Sequence, residues 1–266
     1  MTLSTGSGQL QGKVAIVTGA GAGIGKTIAA KFAAEGAIVC IADINGDTAE
    51  AVSNEICAGG GKAVGVQMDV TNEQEVTAVV DDLAGRFGHI DVLVANAGIQ
   101  HIDEIADVSF ADWKRVLSVH LDGSFLTTRA CLKHMYSGTQ GGSVILLGSV
   151  HSYLASEQKG PYIVAKHGLV GLARTIAKEG AKHGVRANTI CPGLVRTALI
   201  EAQLPILSKD RGISEEQVIT DMLQTTVDGE FTTQAELADV ATFLAAFPSN
   251  ALTGQSISVS HGIHML

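Results

Sequence analysis

Cysteine, proline and aromatic residues are all scarce in this chain. Its four cysteines (Cys40, Cys57, Cys131, Cys191) stand far apart among 266 residues, with no C-x-x-C pair. That spacing argues against a disulfide framework and structural zinc, and it fits a reducing cytoplasm. Four prolines and 4% aromatics leave no room for collagen-like or Pro-rich segments. No apolar run approaches the ~20 residues that cross a bilayer. The residues from Met1 to Gly8 lack both the basic start and the apolar stretch of a secretory signal. A cytoplasmic location with no membrane partner is therefore expected. Basic residues are in the minority: 18 Lys and Arg stand against 27 Asp and Glu, for a net charge of −9. A chain so charged repels polyphosphate, so nucleic acid is not an expected partner. No His, Cys or carboxylate cluster sits at ligand spacing, and no metal is expected.

What the chain does contain is alternation. Short apolar runs at Lys13–Thr18, Ile38–Ala42, Ala63–Gln67, Ile90–Ala95, Ser143–Gly148, Arg186–Ile190 and Ser256–Val259 are rich in Val and Ile. They are too short for buried helices and read as strands buried on both faces. Amphipathic stretches lie between them. Thr71-Asn72-Glu73-Gln74, Ser214-Glu215-Glu216-Gln217 and Thr233-Gln234-Ala235-Glu236 fit helix-starting capping boxes, and Leu237, Val240, Ala241 and Leu244 follow the last at helical spacing. Strand–helix alternation over residues 1–266 predicts one α/β domain, a doubly wound parallel sheet of about seven strands with helices on both faces. Ligands of such sheets bind at the carboxyl ends of the strands. The stretch 194–230, after the Pro192-Gly193 turn, breaks the alternation and reads as helices lying over the sheet edge.

After the first strand comes Thr18-Gly19-Ala20-Gly21-Ala22-Gly23-Ile24-Gly25, running into a helix. Glycines there permit a tight turn and let the backbone approach a phosphate seated at the helix amino terminus. The P-loop pattern G-x-x-x-x-G-K-[ST] fails only because Ala20 holds its first glycine position. The common dinucleotide pattern G-x-G-x-x-G fails because Lys26 holds its last. T-G-x-x-x-G-x-G does fit, through Gly19, Gly23 and Gly25, and the loop alone leaves both phosphate-binding classes open. Asp43 ends the second strand about 20 residues on, where a carboxylate accepts hydrogen bonds from a ribose diol. It would repel a 2′-phosphate, and no Arg or Lys follows in Ile44-Asn45-Gly46. That favours NAD over NADP.

Further on, Tyr162 and Lys166 form a Y-x-x-x-K pair, on one face of a helix by their i, i+4 spacing, 13 residues after Ser149 at the end of a strand. Asn96-Ala97-Gly98 closes another strand, and Pro192-Gly193 with Thr197 follows a third. With the glycine loop, this set resembles the short-chain dehydrogenase/reductase family over nearly the whole chain. The resemblance implies a Rossmann-like domain, a nicotinamide dinucleotide and a homotetramer. It implies cofactor contacts from Gly19, Gly23, Ile24, Gly25, Asp43, Asp69, Val70, Asn96, Ala97, Gly98, Pro192, Gly193, Val195 and Thr197, with Tyr162 and Lys166. One departure stands out. His120, in Ser118-Val119-His120-Leu121-Asp122-Gly123, occupies the place of an Asn that anchors a water relay to the lysine in the family. Imidazole can donate, accept and exchange protons, so His120 is counted with the site.

The chemistry follows from the side chains. Alcohol oxidation needs a base, and a phenol with pKa near 10 is a poor one at neutral pH. A lysine ammonium alongside favours phenolate, so Lys166 is expected to lower the pKa of Tyr162. Tyr162 is then general base in oxidation and acid in reduction, and Ser149 bonds the substrate oxygen. Gly98-Ile99-Gln100-His101, Ser149-Val150-His151, Lys159-Gly160-Pro161-Tyr162 and Glu201-Ala202-Gln203-Leu204-Pro205 resemble the 3-hydroxybutyrate-oxidising branch of the family. The resemblance implies that Gln100, His151, Lys159 and Gln203 grip the carboxylate of a small hydroxy acid, with 194–230 closing over it. A different hydroxy acid or sugar acid is the alternative substrate, and a non-catalytic dinucleotide sensor the alternative class. The ending Val259-Ser260-His261-Gly262 departs from the common family ending V-D-G-G.

Overall fold

The structure of the chain, a computed structural model, describes residues 8–265. The amino-terminal stretch that bears on a secretory signal lies outside the described residues, Gly8 excepted. Seven strands, β1 (Val14–Thr18), β2 (Ile38–Asp43), β3 (Lys62–Gln67), β4 (Val92–Ala95), β5 (Gly142–Leu147), β6 (Val185–Pro192) and β7 (Ser256–Val259), pair in the order β3-β2-β1-β4-β5-β6-β7. Every neighbouring pair is parallel. Around them lie helices α1 (Gly23–Ala34), α2 (Gly46–Ala58), α3 (Glu73–Phe87), α4 (Phe110–Leu117), α5 (Gly123–Ser137) and α6 (Gly160–Gly180). Three short helices follow, α7 (Ala198–Glu201), α8 (Leu204–Arg211) and α9 (Glu215–Leu223), and then α10 (Gln234–Ala246).

Two-residue side-chain periodicity divides the strands between two cores. Val14 and Ile16 of β1 pack with Val80 of α3, Cys131 of α5 and Leu169 of α6 on one face. Ala15 and Val17 pack with Phe32 of α1, Val52 of α2, and Leu237, Ala241 and Leu244 of α10 on the other. The sheet is thus covered by helices on both sides. β1, β4 and β6 are buried throughout, as expected of central strands. β3 and β7 are only half-buried, contrary to the expectation for every strand, because each has a neighbour on one side only.

The chain leaves β1 outward to β2 and β3, then returns to β4 on the other side of β1. The carboxyl ends of β1 and β4 therefore flank the switch point where such sheets open a crevice. Strand bounds differ little from the sequence reading. β4 starts at Val92 rather than Ile90, since the Asp91 carboxylate turns back to accept from the Val14 N–H (2.8 Å) and the Lys13 ammonium (2.9 Å). β6 runs on to Pro192.

Only one of the three expected capping boxes is complete. Thr233 and Glu236 exchange both bonds at the start of α10. At α9, Ser214 accepts from the Gln217 N–H, but the Gln217 amide turns to Asp221, which leaves half a box. At α3 the cap is Asn72 rather than Thr71, whose hydroxyl and N–H are both taken by Asp69. Helices α7 to α9 fill the excursion between β6 and α10, where helices were expected. Among the described residues, no helix is long and apolar enough to cross a membrane.

Candidate active site

A cavity of about 760 Å³ opens at the carboxyl ends of the strands. One end is built by the glycine loop. Gly19 adopts φ +61°, and a Cβ there would meet the Ala97 Cα at 2.8 Å. A Cβ on Gly25 would meet the Gly19 carbonyl oxygen at 2.5 Å and the Asn96 amide at 2.6 Å. These two glycines let the loop, the first turn of α1 and the end of β4 close on one another. Asn96 locks that arrangement by donating from Nδ2 to the carbonyls of Thr18 (2.9 Å) and Gly19 (3.0 Å), while Thr18 Oγ1 accepts from the N–H groups of Asn96 and Ala97. At the amino end of α1, Ala22 supplies no side-chain cap and the first turn carries no acidic residue. The helix terminus is thus left for an outside anion.

Asp43 ends β2 beside this loop. Its carboxylate accepts from the N–H groups of Gly21 (2.9 Å) and Asn45 (3.0 Å). A Cβ on Gly21 would meet Thr48 Oγ1 at 2.4 Å and Asp43 Oδ2 at 2.9 Å, so only glycine fits against the carboxylate. The sequence reading missed Gly21, although it lies inside the glycine run. An oriented carboxylate, a close backbone approach and an uncapped helix end fit a dinucleotide. A P-loop does not fit, since Lys26 is paired with Glu55 of α2 at 2.7 Å and does not line the cavity.

Deeper in the cavity stand Ser149, Tyr162 and Lys166. Ser149 follows β5 and begins a short turn, Val150–Ser152, in which it and Ser152 cap each other. Tyr162 lies in the first turn of α6, entered through Pro161, and Lys166 lies one turn on. The Lys166 Nζ is 5.4 Å from the centre of the Tyr162 ring and donates to the Leu147 carbonyl. Burial holds the Lys166 ammonium down, to about 8. Burial also raises the Tyr162 phenol above its ordinary value, and the group that pulls it down is the Ser149 hydroxyl. This corrects the expectation that Lys166 lowers the phenol. In this arrangement the ammonium is engaged by the Leu147 carbonyl, and desolvation dominates the phenol.

His120 lies in a single π turn, Ser118–Asp122, between α4 and α5, a local widening often found at functional sites. The ring is 2% exposed. Its Nε2 sits 2.8 Å from the Ile99 carbonyl oxygen and 3.1 Å from the Ile99 N–H, and Nδ1 is buried without a hydrogen-bond partner among the described residues. The ring meets Tyr162 edge-on at 5.4 Å and packs where a Cβ on Gly98 would stand. Burial, then the Lys166 charge, push its pKa down to about 3. His120 is therefore neutral at physiological pH, and exchange through an imidazolium, allowed by the sequence reading, is not available to it.

The remaining expected residues gather at the same end. Gln100, His151, Lys159 and Gln203 come from four separate stretches of chain and all line the cavity. His151 Nδ1 lies 3.3 Å from Ser149 Oγ, its N–H donates to that oxygen at 3.2 Å, and its Nε2 is 3.1 Å from Ser156 Oγ. Burial first, then the Lys159 charge, push the His151 pKa down to about 4, so this ring is also neutral. Lys159, half-buried at the start of α6, has its pKa lowered by desolvation, and no carboxylate of the described residues pairs with it. The acidic residues lining the cavity are Asp43, the last of β2, and Asp69, just past β3, both at the opposite end. The end around Tyr162 is therefore cationic and rich in hydrogen-bond donors.

Every residue expected to contact cofactor or substrate lines this one cavity, except Gly25, which lies behind the loop. Among the lining residues that the sequence reading missed are Met222, Thr225 and Ile263, which complete the wall. Nothing in their residue types marks them, and only the fold brings them here.

Known proteins resemble this chain over nearly its whole length. Residues 19–264 match the family profile described as Enoyl-(Acyl carrier protein) reductase. The chain is 36% identical over 253 residues to a D-beta-hydroxybutyrate dehydrogenase of Rhizobium meliloti, covering 94% of this chain and 98% of the relative. It is 38% identical over 248 residues to a D-beta-hydroxybutyrate dehydrogenase of Cupriavidus necator, covering 92% and 95%. A crystal structure of a candidate short-chain alcohol dehydrogenase of Sinorhizobium meliloti superposes with a TM-score of 0.87 at 31% identity, covering 96% of this chain and 97% of that one.

Proposed function

From the premise that the chain belongs to the short-chain dehydrogenase/reductase family, an oxidoreductase family acting on small molecules, we propose that it reversibly oxidises (R)-3-hydroxybutyrate to acetoacetate with NAD. The observation that carries the substrate is the convergence of Gln100, His151, Lys159 and Gln203 beside Tyr162, around an ammonium with no carboxylate partner among the described residues. A small anion neutralises Lys159, and neutral donors on either side orient it. Relatives named for the same hydroxy acid, at 36% and 38% identity, support the reading.

NAD supplies the hydride acceptor when bound. Gly19, Gly23 and Ile24 with the α1 terminus would hold its pyrophosphate, Asp43 its ribose, and Asp69 and Val70 its adenine side. Asn96 to Gly98 and Pro192, Gly193, Val195 and Thr197 would flank its nicotinamide side. Asp43 favours NAD over NADP, because its carboxylate is already fixed by two N–H donors where a 2′-phosphate would stand. In the reaction Tyr162 takes the alcohol proton, and Ser149, held by His151, bonds the oxygen on which charge develops. Lys166 carries positive charge behind the phenol. The segment 194–230 excludes water by covering the cavity. A homotetramer in the cytoplasm completes the proposal, supported by the exposed apolar side chains Phe110, Phe125 and Val164 on α4, α5 and α6.

A panel of hydroxy acids, sugar acids and polyols, each with NAD and with NADP and read by reduced-nicotinamide absorbance, tests the substrate. The highest kcat/KM is expected for (R)-3-hydroxybutyrate with NAD. A higher value for another acid overturns the substrate, and NADH binding with no turnover of any member points to a sensor. We also propose that His120 acts by position. Restoring the family residue in His120→Asn is expected to keep kcat within about tenfold, with the pH profile unmoved, since a neutral ring contributes no ionisation. A profile that shifts in this variant would give the imidazole a proton-transfer role.

A further inference from the structure

The carboxyl-terminal turn is where this chain departs from its family pattern, and the fold places that turn against the covering segment. His261 holds a left-handed backbone conformation, φ +47°, at a position where the family pattern has glycine. Its Nδ1 lies 2.7 Å from Asp228 Oδ2 and its Nε2 3.5 Å from Glu236 Oε2. The His261 carbonyl accepts from the Val227 N–H at 2.8 Å. Gly262, φ +76°, lies so close that a Cβ would meet Val227 Cγ1 at 2.4 Å. The turn is itself anchored to the walls of the cavity. Gly193 packs against Ser260, the His264 ring stacks on Tyr153 at 4.8 Å, and Ile263 lines the cavity.

We infer that His261 is a positioning residue: its ring bridges Asp228 and Glu236 and so fastens the end of the cavity-covering segment to the carboxyl-terminal turn. That segment reaches the cavity through Ile200, Gln203, Met222 and Thr225 and ends at the Val227–Asp228 link. Fixing this link holds Met222 and Thr225 in the wall. The bridge is strongest when the imidazole is charged. The elements packed around it carry Asp228 and Glu230 on the connection to α10, Glu236 on α10, Arg196 beyond β6 and His264 on its own turn. Of these, Asp228 and Glu236 engage His261, while Arg196 is taken by Glu201 at 2.6 Å. The bond to Asp228, above all, raises the His261 pKa, and the same bond holds Asp228 below its ordinary value. With the folded value raised, the bridge is complete on the acid side and is lost as pH rises through it.

The inference rests on the proposed function only for its kinetic part, so the test has two arms. Hydrogen exchange of the full-length protein, followed by mass spectrometry and corrected for intrinsic rates, is measured at about pH 6 and about pH 9, on either side of the imidazole range. Wild-type peptides spanning 220–228 are expected to exchange about two- to fivefold faster at the higher pH, the size of effect an exposed ion pair carries. In His261→Gly, which suits the backbone at this position, exchange should sit at the faster level at both pH values. Asp228→Asn, altering an exposed side chain, should do the same and serves if the glycine variant fails to fold. No pH dependence in the wild type, or its survival in both variants, overturns the inference. In the kinetic arm, KM for the hydroxy acid should rise over the same pH interval more in the wild type than in the variants, with KM for NAD unmoved. An exchange difference in a protein that turns over no hydroxy acid refutes the proposed substrate and leaves the latch supported.

Discussion

Tyr162→Phe is expected to fold, to bind NADH still and to lose turnover by about 10²–10⁴-fold, the usual worth of a positioned acid–base group. The phenyl ring keeps the edge-on contacts with His120 at 5.4 Å and His151 at 6.0 Å. Loss of the hydroxyl leaves Ser149 Oγ still bonded by the His151 N–H, so no new orphan forms there. Fluorescence titration with NADH and steady-state rates in both directions separate binding from chemistry. The pH dependence carries the sign of the role. Burial holds the phenol above its ordinary value, so oxidation, which needs the phenolate, should accelerate as pH rises from about 6 toward the Lys166 value of about 8, while reduction, which needs the phenol that stays protonated there, should be flat. His120 at about 3 and His151 at about 4 are neutral throughout that interval and supply no limb of the profile. Turnover retained in the phenylalanine variant removes Tyr162 from the mechanism.

Lys159→Ala is expected to lower kcat/KM for 3-hydroxybutyrate by about 10²-fold, roughly 2–3 kcal/mol of transition-state binding, near the low end for removing one member of a desolvated charge pair. Partial exposure of Lys159 is the reason for the low end. The methyl ester of the same acid, which brings no charge, should be turned over by wild type and variant at similar rates. The measured quantity is the acid-to-ester ratio, and its persistence in the variant would dismantle the carboxylate grip. The alanine variant should also weaken with salt less steeply than the wild type, because a point charge no longer draws the anion in.

Much of this was legible in the residues. Alternation of apolar runs with helical stretches predicts the parallel sheet, since a strand buried on both faces has no polar partner to show. The motifs at Thr18–Gly25, Asn96–Gly98, Ser149, Tyr162 and Lys166 fall at strand ends or on the first two turns of helices, where sequence order fixes position closely. Other features depend on distances between remote segments. That Lys166 bonds the Leu147 carbonyl is set by how α6 meets β5. The neutrality of His120 comes from burial, which its neighbours in sequence do not reveal. Thr71 and Asn72 are both good caps, and the choice between them fell to Asp69, a competitor two residues away. The latch at His261 joins residues 33 positions apart, and only the oddity of its ending hinted at it.

Val195 and Thr232 lie side by side as an isolated parallel bridge, with the Thr232 N–H donating to the Leu194 carbonyl at 2.8 Å. All of α7, α8 and α9 therefore departs from the sheet and rejoins it at one pinch point. A loop closed at its neck can be lengthened or exchanged at small entropic cost, about 0.6 kcal/mol for each doubling. Evolution can thus vary the roof of such an enzyme without redrawing its floor: a chimaera spliced at these two residues would exchange Gln203, Met222 and Thr225 and keep Gln100, His151, Lys159 and the glycine loop of the recipient.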